Sequence, residues 1–526
     1  MISLWQRQVR TLRARSAVTE REYICWHLNC KPLIVVLITT NNIICKLFMG
    51  LRHSLKSLYL LLAVLPAVLS AENIRLPEMG DSAGAVLSPE QEHRIGTEFL
   101  RRIRLNFQLV EDPEINEYIR NLGNRLAANS DNPTQNFTFF VINDTRINAF
   151  AAPGGFIGIN AGLITASESE SELASVIAHE IAHITQRHMA RAFEAQSNLN
   201  LPALAGVIAA IIIGSQNSEL GRATLSASQA AAVQAQLDFT RSNENEADHI
   251  GIQTLSGSNF DPRAMTVFFE RLQQASRYYS KPPEFLSTHP VTVARIANSR
   301  ARAERYPYRQ YTDSLDYHLI REKLRFASNK PHSVSHYERA LASKQYHSET
   351  ATRYGYALAL GNADRIDQAQ NEINALLKQY PEQANFLLAR ARFLLKSGNS
   401  QAALQTYQKA LKAYPQHHSL TINYAQALLQ IKQANEARKL LHQYVRERRP
   451  DASLYKLMAI AEGEAGYPIE AHQSLAEHHY LNGQTRAAIR QLDIALGLKS
   501  KNFFELSKVQ ARRDQLRLLD REESIH

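Results

Sequence analysis

The C-terminal part of the chain repeats with a period of 34 residues, and this period restricts the fold more than any other feature. Alanine occurs at two fixed phases in four successive units, namely at Ala357, Ala391, Ala425 and Ala459 and again at Ala369, Ala403, Ala437 and Ala471. Pro381, Pro415 and Pro450 close successive units. Small residues at fixed phases allow two helices to cross closely, so the period predicts stacked pairs of helices.

A repeat of this length is typical of tetratricopeptide repeats, which form an all-α solenoid. We assign residues 334–526 to this domain. Gly483, Ala488 and Ala495 indicate a further helical unit out of phase with the others, and the tail from Ser507 is expected to form a capping helix. Such solenoids bind segments of other proteins and carry no chemistry themselves. Catalytic residues are therefore expected upstream.

The motif His179-Glu180-Ile181-Ala182-His183 lies upstream, in a segment from Ser169 to Gln196 that contains neither Pro nor Gly. Ser169 and Glu172 fit a capping box, so one helix is predicted over this segment. Two His residues four positions apart share a helical face and can hold one zinc ion, while Glu180 can take a proton from the water that the metal activates. Together they could hydrolyse a peptide bond. Isolated copies of this motif also occur on helix surfaces that bind nothing.

A second acidic motif, Glu244-Asn245-Glu246-Ala247-Asp248, strengthens the prediction of a metal site. Glu244 and Asp248 share a helical face, so Glu244 could be the third ligand while Asp248 accepts a hydrogen bond from a ligand His. Glu246 points elsewhere on the helix and is the weaker ligand candidate. His188 and His249 lie near the two motifs, and we interpret both as surface residues or as outer partners of the site.

Strand-forming residues flank a Pro-Gly-Gly turn between Asn148 and Asn160, just before the predicted helix. The strand could lie at a sheet edge beside the metal and bind an extended peptide by main-chain pairing. An ordinary hairpin that supports the helix fits the same residues equally well.

These motifs, with Ser287-Thr288-His289-Pro290 and Arg295, resemble the CAAX-prenyl-protease-like zinc peptidases. Among them the chain is most similar to the periplasmic β-barrel assembly-enhancing type, over about Ala71 to the C-terminus. The resemblance implies an α+β gluzincin-type domain, mostly helical with a small sheet. It further implies one zinc ion held by His179, His183 and Glu244, with Glu180 as the base. His289 would stabilise the oxyanion or bind the zinc as a fourth ligand and silence the enzyme; on residue chemistry alone, a lone His before Pro is more often a loop or capping residue.

The same resemblance implies a zinc endopeptidase, with a chaperone role in addition, that acts on unfolded or misassembled outer-membrane β-barrel proteins. The implied partners of the repeats are the β-barrel assembly machinery and the lipopolysaccharide export assembly. The alternative is a non-catalytic chaperone or adaptor with a structural or latent zinc site, which would not need Glu180. An integral-membrane protease would need several apolar spans of about 20 residues, and the chain after Ala71 has none.

The N-terminal region predicts export to the periplasm. Residues 49–71 fit a cleaved signal peptide, with Arg52 and Lys56 before a short apolar core and Ala71 at the cleavage site. We expect residues 1–48 to be an extension from a start site placed too far upstream; the alternative is an uncleaved anchor over residues 32–69. All three cysteines lie at Cys25, Cys30 and Cys45, so the remaining chain cannot use thiol catalysis.

The expected peptidase domain spans residues 72–306, and residues 307–333 are expected to be a linker. The segment Leu201–Leu237 separates the two halves of the predicted metal site. It could be a mobile loop region near the site, a hairpin in peripheral contact with a membrane, or a buried helical pair. The net charge of +10 is modest for 526 residues, and no nucleic-acid-binding motif occurs.

Overall fold

The computed structural model describes residues 87–194, 241–278, 283–328, 333–499 and 503–524. The expectations for the extension (1–48), the signal peptide (49–71) and the Leu201–Leu237 segment therefore lie outside the described residues. Within the described ranges, no helix combines the length and the apolar character that a membrane span requires.

Two amphipathic helices, α1 (Pro89–Asn106) and α2 (Pro113–Ala127), open the described chain. Each begins with a capping side chain followed by Pro at the first helical position. The Ser88 hydroxyl accepts from the Gln91 backbone N–H at 3.2 Å, and the Asp112 carboxylate accepts from that of Glu114 at 3.0 Å. These caps satisfy backbone donors that have no partner inside the helix, so the starts of both helices are defined locally.

Three short strands form one sheet: β1 (Thr138–Ile142), β2 (Ala149–Ala152) and β3 (Phe156–Asn160). Their order is β1-β3-β2, with β3 parallel to β1 and antiparallel to β2. Gly154 and Gly155 form the tight turn between β2 and β3 at φ values of 75° and 88°, which side chains other than Gly adopt with strain. The strand-forming residues around Pro-Gly-Gly therefore form a hairpin, with β2 at an edge of the sheet.

The helix that carries the His-Glu-x-x-His motif lies at the centre of this part of the molecule. This helix is α4 (Glu170–Thr185). The other helices that follow α2 in this part are α3 (Ala161–Ala166), α5 (His188–Glu194), α6 (Arg241–Gly257), α7 (Ala264–Tyr278), α8 (Phe285–Thr288) and α9 (Val293–Ala303). Every residue of α4 from Glu170 to Ile184 is buried, and α2, α6, α7 and the sheet pack against it. A helix covered on all sides can hold polar groups away from water.

The single helix predicted from Ser169 to Gln196 is interrupted. Helix α4 ends at Thr185, Arg187 adopts a left-handed conformation with φ of 52°, and α5 begins at His188. The expected capping box is only half formed. Ser169 accepts from the Glu172 backbone N–H, but the Glu172 carboxylate accepts from the Glu168 N–H and pairs with Arg271. Tertiary contacts explain both differences.

Helix α10 (Leu315–Ser328) lies in the segment that we expected to be only a linker. Tyr317, Leu319 and Ile320 are buried, and the Tyr317 hydroxyl donates to the Ser167 carbonyl oxygen at 2.8 Å. The helix packs against α2 and α3 on one side and against the first repeats on the other. It therefore joins the two parts of the molecule by a packed core.

The repeats form the predicted all-α solenoid. Its helices are α11 (Ser333–Ser343), α12 (Glu349–Asn362), α13 (Ile366–Gln379), α14 (Ala384–Lys396), α15 (Ser400–Ala413), α16 (His418–Gln430), α17 (Ala434–Tyr444), α18 (Ala452–Glu464), α19 (Pro468–Leu481), α20 (Thr485–Gly497) and α21 (Phe503–Ser524). The first alanine phase lies on the first helix of each pair and the second phase on the second helix. Helix α21 begins a few residues before Ser507 and buries Val509 and Leu516 in the last apolar cluster.

Polar contacts attach the solenoid to the first two helices at several points along its length. Glu114 of α2 accepts from Asn385 of α14 at 2.9 Å, and Arg104 of α1 donates to the Leu481 carbonyl oxygen of α19 at 2.8 Å. In between, the Glu117 carboxylate accepts from the first backbone N–H groups of α16. The repeats therefore pack along the peptidase helices instead of extending away from them.

Candidate active site

Two histidines of α4 face each other in the interior of the molecule. His179 and His183 lie one helical turn apart, and their Nε2 atoms are 2.9 Å apart. Both side chains are almost completely buried. The nitrogens that the sequence spacing places on one helical face therefore converge on a single point.

Glu244 approaches the same point from α6. Its Oε1 atom lies 3.4 Å from His183 Nε2, and its Oε2 atom lies 3.5 Å from His179 Nε2. Gly251 allows this approach, because a Cβ atom there would lie 3.3 Å from the His179 backbone nitrogen and 2.9 Å from the Met265 side chain. The two helices can pack closely only where α6 has no side chain.

His289 completes the group from the residue that follows α8. Its Nδ1 atom lies 3.0 Å from Glu244 Oε1 and 3.3 Å from His179 Nε2. Its backbone N–H donates to the Phe285 carbonyl oxygen at 2.8 Å, and its ring stacks on the Phe285 ring. His289 is therefore a capping residue and also part of the buried group.

The four side chains fit a divalent metal ion. One ligand atom from each of His179, His183, Glu244 and His289 lies within 4.8 Å of the others, and all four residues are buried. Imidazole nitrogens and a carboxylate oxygen are the donors that zinc prefers. Lone pairs that converge in a buried space repel one another unless a cation or protons lie between them. The donor set and its geometry thus match a metal site.

Glu180 lies beside this group, and neither of its carboxylate oxygens has a hydrogen-bond partner among the described residues. The side chain is fully buried, and the Nε2 atom of His289 lies 3.5 Å from Glu180 Oε1. Burial raises the pKa of Glu180, although His289 and His179 oppose this shift. Burying a carboxylate without a hydrogen-bond partner destabilises the folded state. A carboxylate in such a position is therefore a candidate for binding a ligand or a proton.

Asp248 and Arg295 surround the outer side of His179. Asp248 Oδ1 lies 3.0 Å from His179 Nδ1, and Arg295 donates to both Asp248 oxygens at 2.6 and 2.8 Å. Burial alone would lower the pKa of His179, but Asp248 and Glu244 outweigh it and raise that pKa to about 9. Burial alone would raise the pKa of Asp248, whereas Arg295 lowers it. Arg295 was among the residues that carry the family resemblance, but its contacts with Asp248 were not predictable from the sequence.

The other histidines and acids near the motifs separate into two groups. His188 is fully buried and lies 2.8 Å from His183, so it is an outer partner and not a surface residue. Glu246 contacts His188 instead of the metal-binding group, as its position on the helix predicts. His249 is half-buried, and its ring contacts Gln253 on its own helix.

Comparison with known proteins agrees with these observations. Residues 113–303 match the peptidase family M48, and residues 354–418 and 394–461 match two tetratricopeptide-repeat models. The chain is 36% identical over 447 residues to the β-barrel assembly-enhancing protease of Yersinia pestis, covering 85% of this chain and 92% of that protein. The Escherichia coli (strain K12) protein of the same name is 35% identical over 448 residues, covering 84% and 91%.

The chain belongs to the β-barrel assembly-enhancing protease family. As a member of this family it is a metallopeptidase fused to tetratricopeptide repeats, which confirms the fold class and the enzymatic activity predicted from the sequence. A more distant relative, the mitochondrial metalloendopeptidase OMA1 of Schizosaccharomyces pombe, is 31% identical over 179 residues, which is 34% of this chain and 50% of that protein.

Proposed function

We propose that this protein is a periplasmic zinc endopeptidase that cleaves misassembled outer-membrane β-barrel proteins. The observation that carries the proposal is the buried group of His179, His183, Glu244 and His289 beside the buried carboxylate of Glu180. The names of the Yersinia pestis and Escherichia coli relatives support a role in β-barrel assembly. In this proposal His179, His183 and Glu244 hold the zinc ion.

The residues around the group suggest how a peptide bond is cleaved. Zinc, when bound, would supply a Lewis acid that polarises the scissile carbonyl and lowers the pKa of a water molecule. Glu180 takes a proton from the attacking water and passes it to the nitrogen of the leaving amine. Burial, which raises the pKa of Glu180, makes this carboxylate a better proton acceptor. Asp248 holds the His179 ring by its Nδ1 atom at 3.0 Å.

Two roles for His289 are compatible with its position. With Nε2 3.5 Å from Glu180 it could stabilise the oxyanion that forms during hydrolysis. With Nδ1 3.0 Å from Glu244 it could instead be a fourth ligand that fills the open position and keeps the enzyme latent. Substitution of His289 distinguishes the two, because activity falls if His289 stabilises the oxyanion and rises if it blocks the site.

The sheet and the repeats suggest how a client binds. Strand β2 is a buried edge strand, and a small cavity of about 20 Å³ is lined by Ala152, Pro153 and His183. An unfolded barrel strand could extend the sheet along β2 if the segments that cover this strand move aside. A larger cavity of about 940 Å³ is lined by residues of both the peptidase and the repeats, and its wall contains aromatic residues such as Phe139 and Phe326. This cavity and the solenoid are the proposed binding surfaces for clients, for the β-barrel assembly machinery and for the lipopolysaccharide export assembly.

The decisive experiment measures bound zinc and the cleavage of an unfolded outer-membrane β-barrel protein by the full chain. We expect about one zinc ion per chain, and loss of cleavage in Glu180→Gln with zinc retained. Glu168→Gln is the matched control, because the Glu168 side chain is 61% exposed and forms an ion pair with Arg271, away from the metal-binding group. Zinc binding without cleavage, and restored cleavage in His289→Ala, would indicate the latent state. A native chain that binds no zinc would contradict the proposal.

A further inference from the structure

A chain of hydrogen-bonding groups extends from His183 to the protein surface. The Nδ1 atom of His183 lies 2.8 Å from Nδ1 of the fully buried His188. On the opposite side of the His188 ring, Nε2 lies 3.0 Å from Oε2 of Glu246. Arg191 donates to the same Glu246 oxygen at 2.8 Å, and Glu246 is 38% exposed. Three side chains and a final cation therefore form one continuous path.

The position of the protons along this path follows from its two ends. His183 turns Nε2 toward His179 and Glu244, so Nε2 must keep its lone pair if it binds a metal. Its proton then lies on Nδ1 and is donated to Nδ1 of His188. His188 in turn carries its proton on Nε2 and donates it to the Glu246 carboxylate. A single tautomer of each ring satisfies both contacts.

The backbone between α4 and α5 makes this path possible. Arg187 adopts the left-handed conformation that ends α4, and its guanidinium donates to the Leu87 carbonyl oxygen at 2.6 Å and to Glu92 at 2.9 Å. The chain consequently leaves the path of α4 at this residue, and the His188 ring packs against the His183 ring. Ala190 packs in the apolar cluster formed by α1 and the sheet, which holds α5 in place. The cost of the left-handed residue is thus offset by tertiary contacts.

We propose that His188 and Glu246 are positioning residues that orient the His183 ring for metal binding. The proposal rests on the metal ligands named under the proposed function. His179 is held directly by the buried Asp248, whereas His183 is held through an imidazole by a carboxylate at the surface. Glu246 lies two residues after Glu244 on α6, so the relay also connects α5 to the helix that carries the third ligand. Outer partners of this kind raise the basicity of a metal-binding His and fix its tautomer.

The test compares zinc affinity, by competition with a chromophoric chelator, in the native full chain, His188→Leu, His188→Asn and Glu246→Gln. Removing the acceptor in His188→Leu is expected to weaken zinc binding by about 10- to 100-fold. His188→Asn is the rescue variant, because an amide oxygen can accept the His183 proton near the position of Nδ1, and most of the affinity should return. Glu246→Gln should weaken binding less, because an amide oxygen still accepts but carries no charge. His249→Leu is the matched control on α6, since the His249 ring hydrogen-bonds to Gln253 on its own helix.

A second readout excludes a merely structural role. The visible absorption spectrum of the cobalt-substituted protein reports the ligand geometry, and it should change in His188→Leu and return toward the native spectrum in His188→Asn. An unchanged zinc affinity and cobalt spectrum in His188→Leu would overturn the proposal. If His188→Leu does not fold, native zinc affinity in Glu246→Gln would also overturn it. A native chain without zinc affinity would instead contradict the proposed function from which the relay derives.

Discussion

Arg295 Nη1 lies 2.6 Å from Oε2 of Glu244, while Nε and Nη2 of the same guanidinium hold Asp248. One buried cation therefore neutralises both the proposed third ligand and the carboxylate that holds His179. The planar fork of an arginine can reach two carboxylates at once, which the single ammonium group of a lysine cannot. This contact connects α6 to α9 and determines which oxygen of Glu244 faces the metal-binding group.

Arg295→Lys is expected to weaken zinc binding by about 10- to 100-fold, because Glu244 and Asp248 lose their common partner. The single ammonium group can pair with only one of the two carboxylates, and the loss of the other pair should lower the free energy of unfolding by about 3 kcal/mol. Chelator competition and denaturant unfolding measure the two effects. Arg300→Lys, on the exposed side of the same helix, is the control and should change stability by about 0.5 kcal/mol at most. Native zinc affinity in Arg295→Lys would show that Glu244 does not depend on this contact.

Glu180→Gln is expected to stabilise the metal-free protein even though it abolishes catalysis. The Glu180 carboxylate is buried and has no hydrogen bond from the part of the chain that the structure describes, and a neutral amide of the same shape costs less to bury. We expect a gain of about 1 kcal/mol in the free energy of unfolding, measured in denaturant with a chelator present. A less stable variant would mean that the charge of Glu180 is compensated by His289 and His179.

Gly251→Ala tests the close contact of α6 with α4. The added Cβ would lie 2.9 Å from the flexible end of the Met265 side chain and 3.3 Å from the His179 backbone nitrogen, so Met265 must shift and the two helices must separate slightly at His179. We expect destabilisation by about 1–3 kcal/mol and weaker zinc binding. Gly257→Ala, at the end of the same helix, is the control, because the nearest atoms would lie at 3.5 and 3.8 Å. Equal effects of the two substitutions would exclude a special role for the contact at His179.

The contacts of Glu114 between the peptidase helices and the repeats should make the stability of the protein depend on pH in acid. Burial alone would raise the pKa of Glu114, but Lys323 and Arg392 lower it from the usual 4.5 to about 2. A carboxyl whose pKa is lower in the folded state stabilises the fold above its unfolded pKa. That stabilisation, on the order of 3 kcal/mol, is lost as the pH falls from about 4.5 to about 2.

Glu114→Gln should therefore be less stable than the native chain near neutral pH, and the difference should shrink as the pH approaches about 2. Denaturant unfolding at neutral pH, at about pH 4.5 and at about pH 3 measures this trend. Glu436→Gln, exposed on α17 and without an ion pair among the described residues, should follow the native chain at every pH. A constant difference between Glu114→Gln and the native chain would show that the charge of Glu114 is not the source of the effect.

Local periodicity accounts for the features that were predictable from the sequence. The 34-residue phase placed Ala357 and Ala369 on successive helices, because each repeat is one local helix pair whose small residues face its partner. The spacing of His179 and His183 placed both side chains on one face of α4 for the same reason. Glu244 and Asp248 likewise share a face of α6, and both reach His179. Their role as zinc ligands and partner stays a prediction that zinc measurement can test.

Contacts between distant segments were not predictable, because they depend on how whole elements pack. The sequence by itself determined a metallopeptidase motif on a helix and a solenoid of helix pairs, since both follow from helical geometry over a few residues. Only the tertiary structure decided that α4 breaks at Arg187, that His188 is buried behind His183 and that Arg295 joins Glu244 to Asp248. A left-handed residue, a buried imidazole and a buried cation are each unfavourable in isolation. They become stable only when segments far apart in the chain supply their partners.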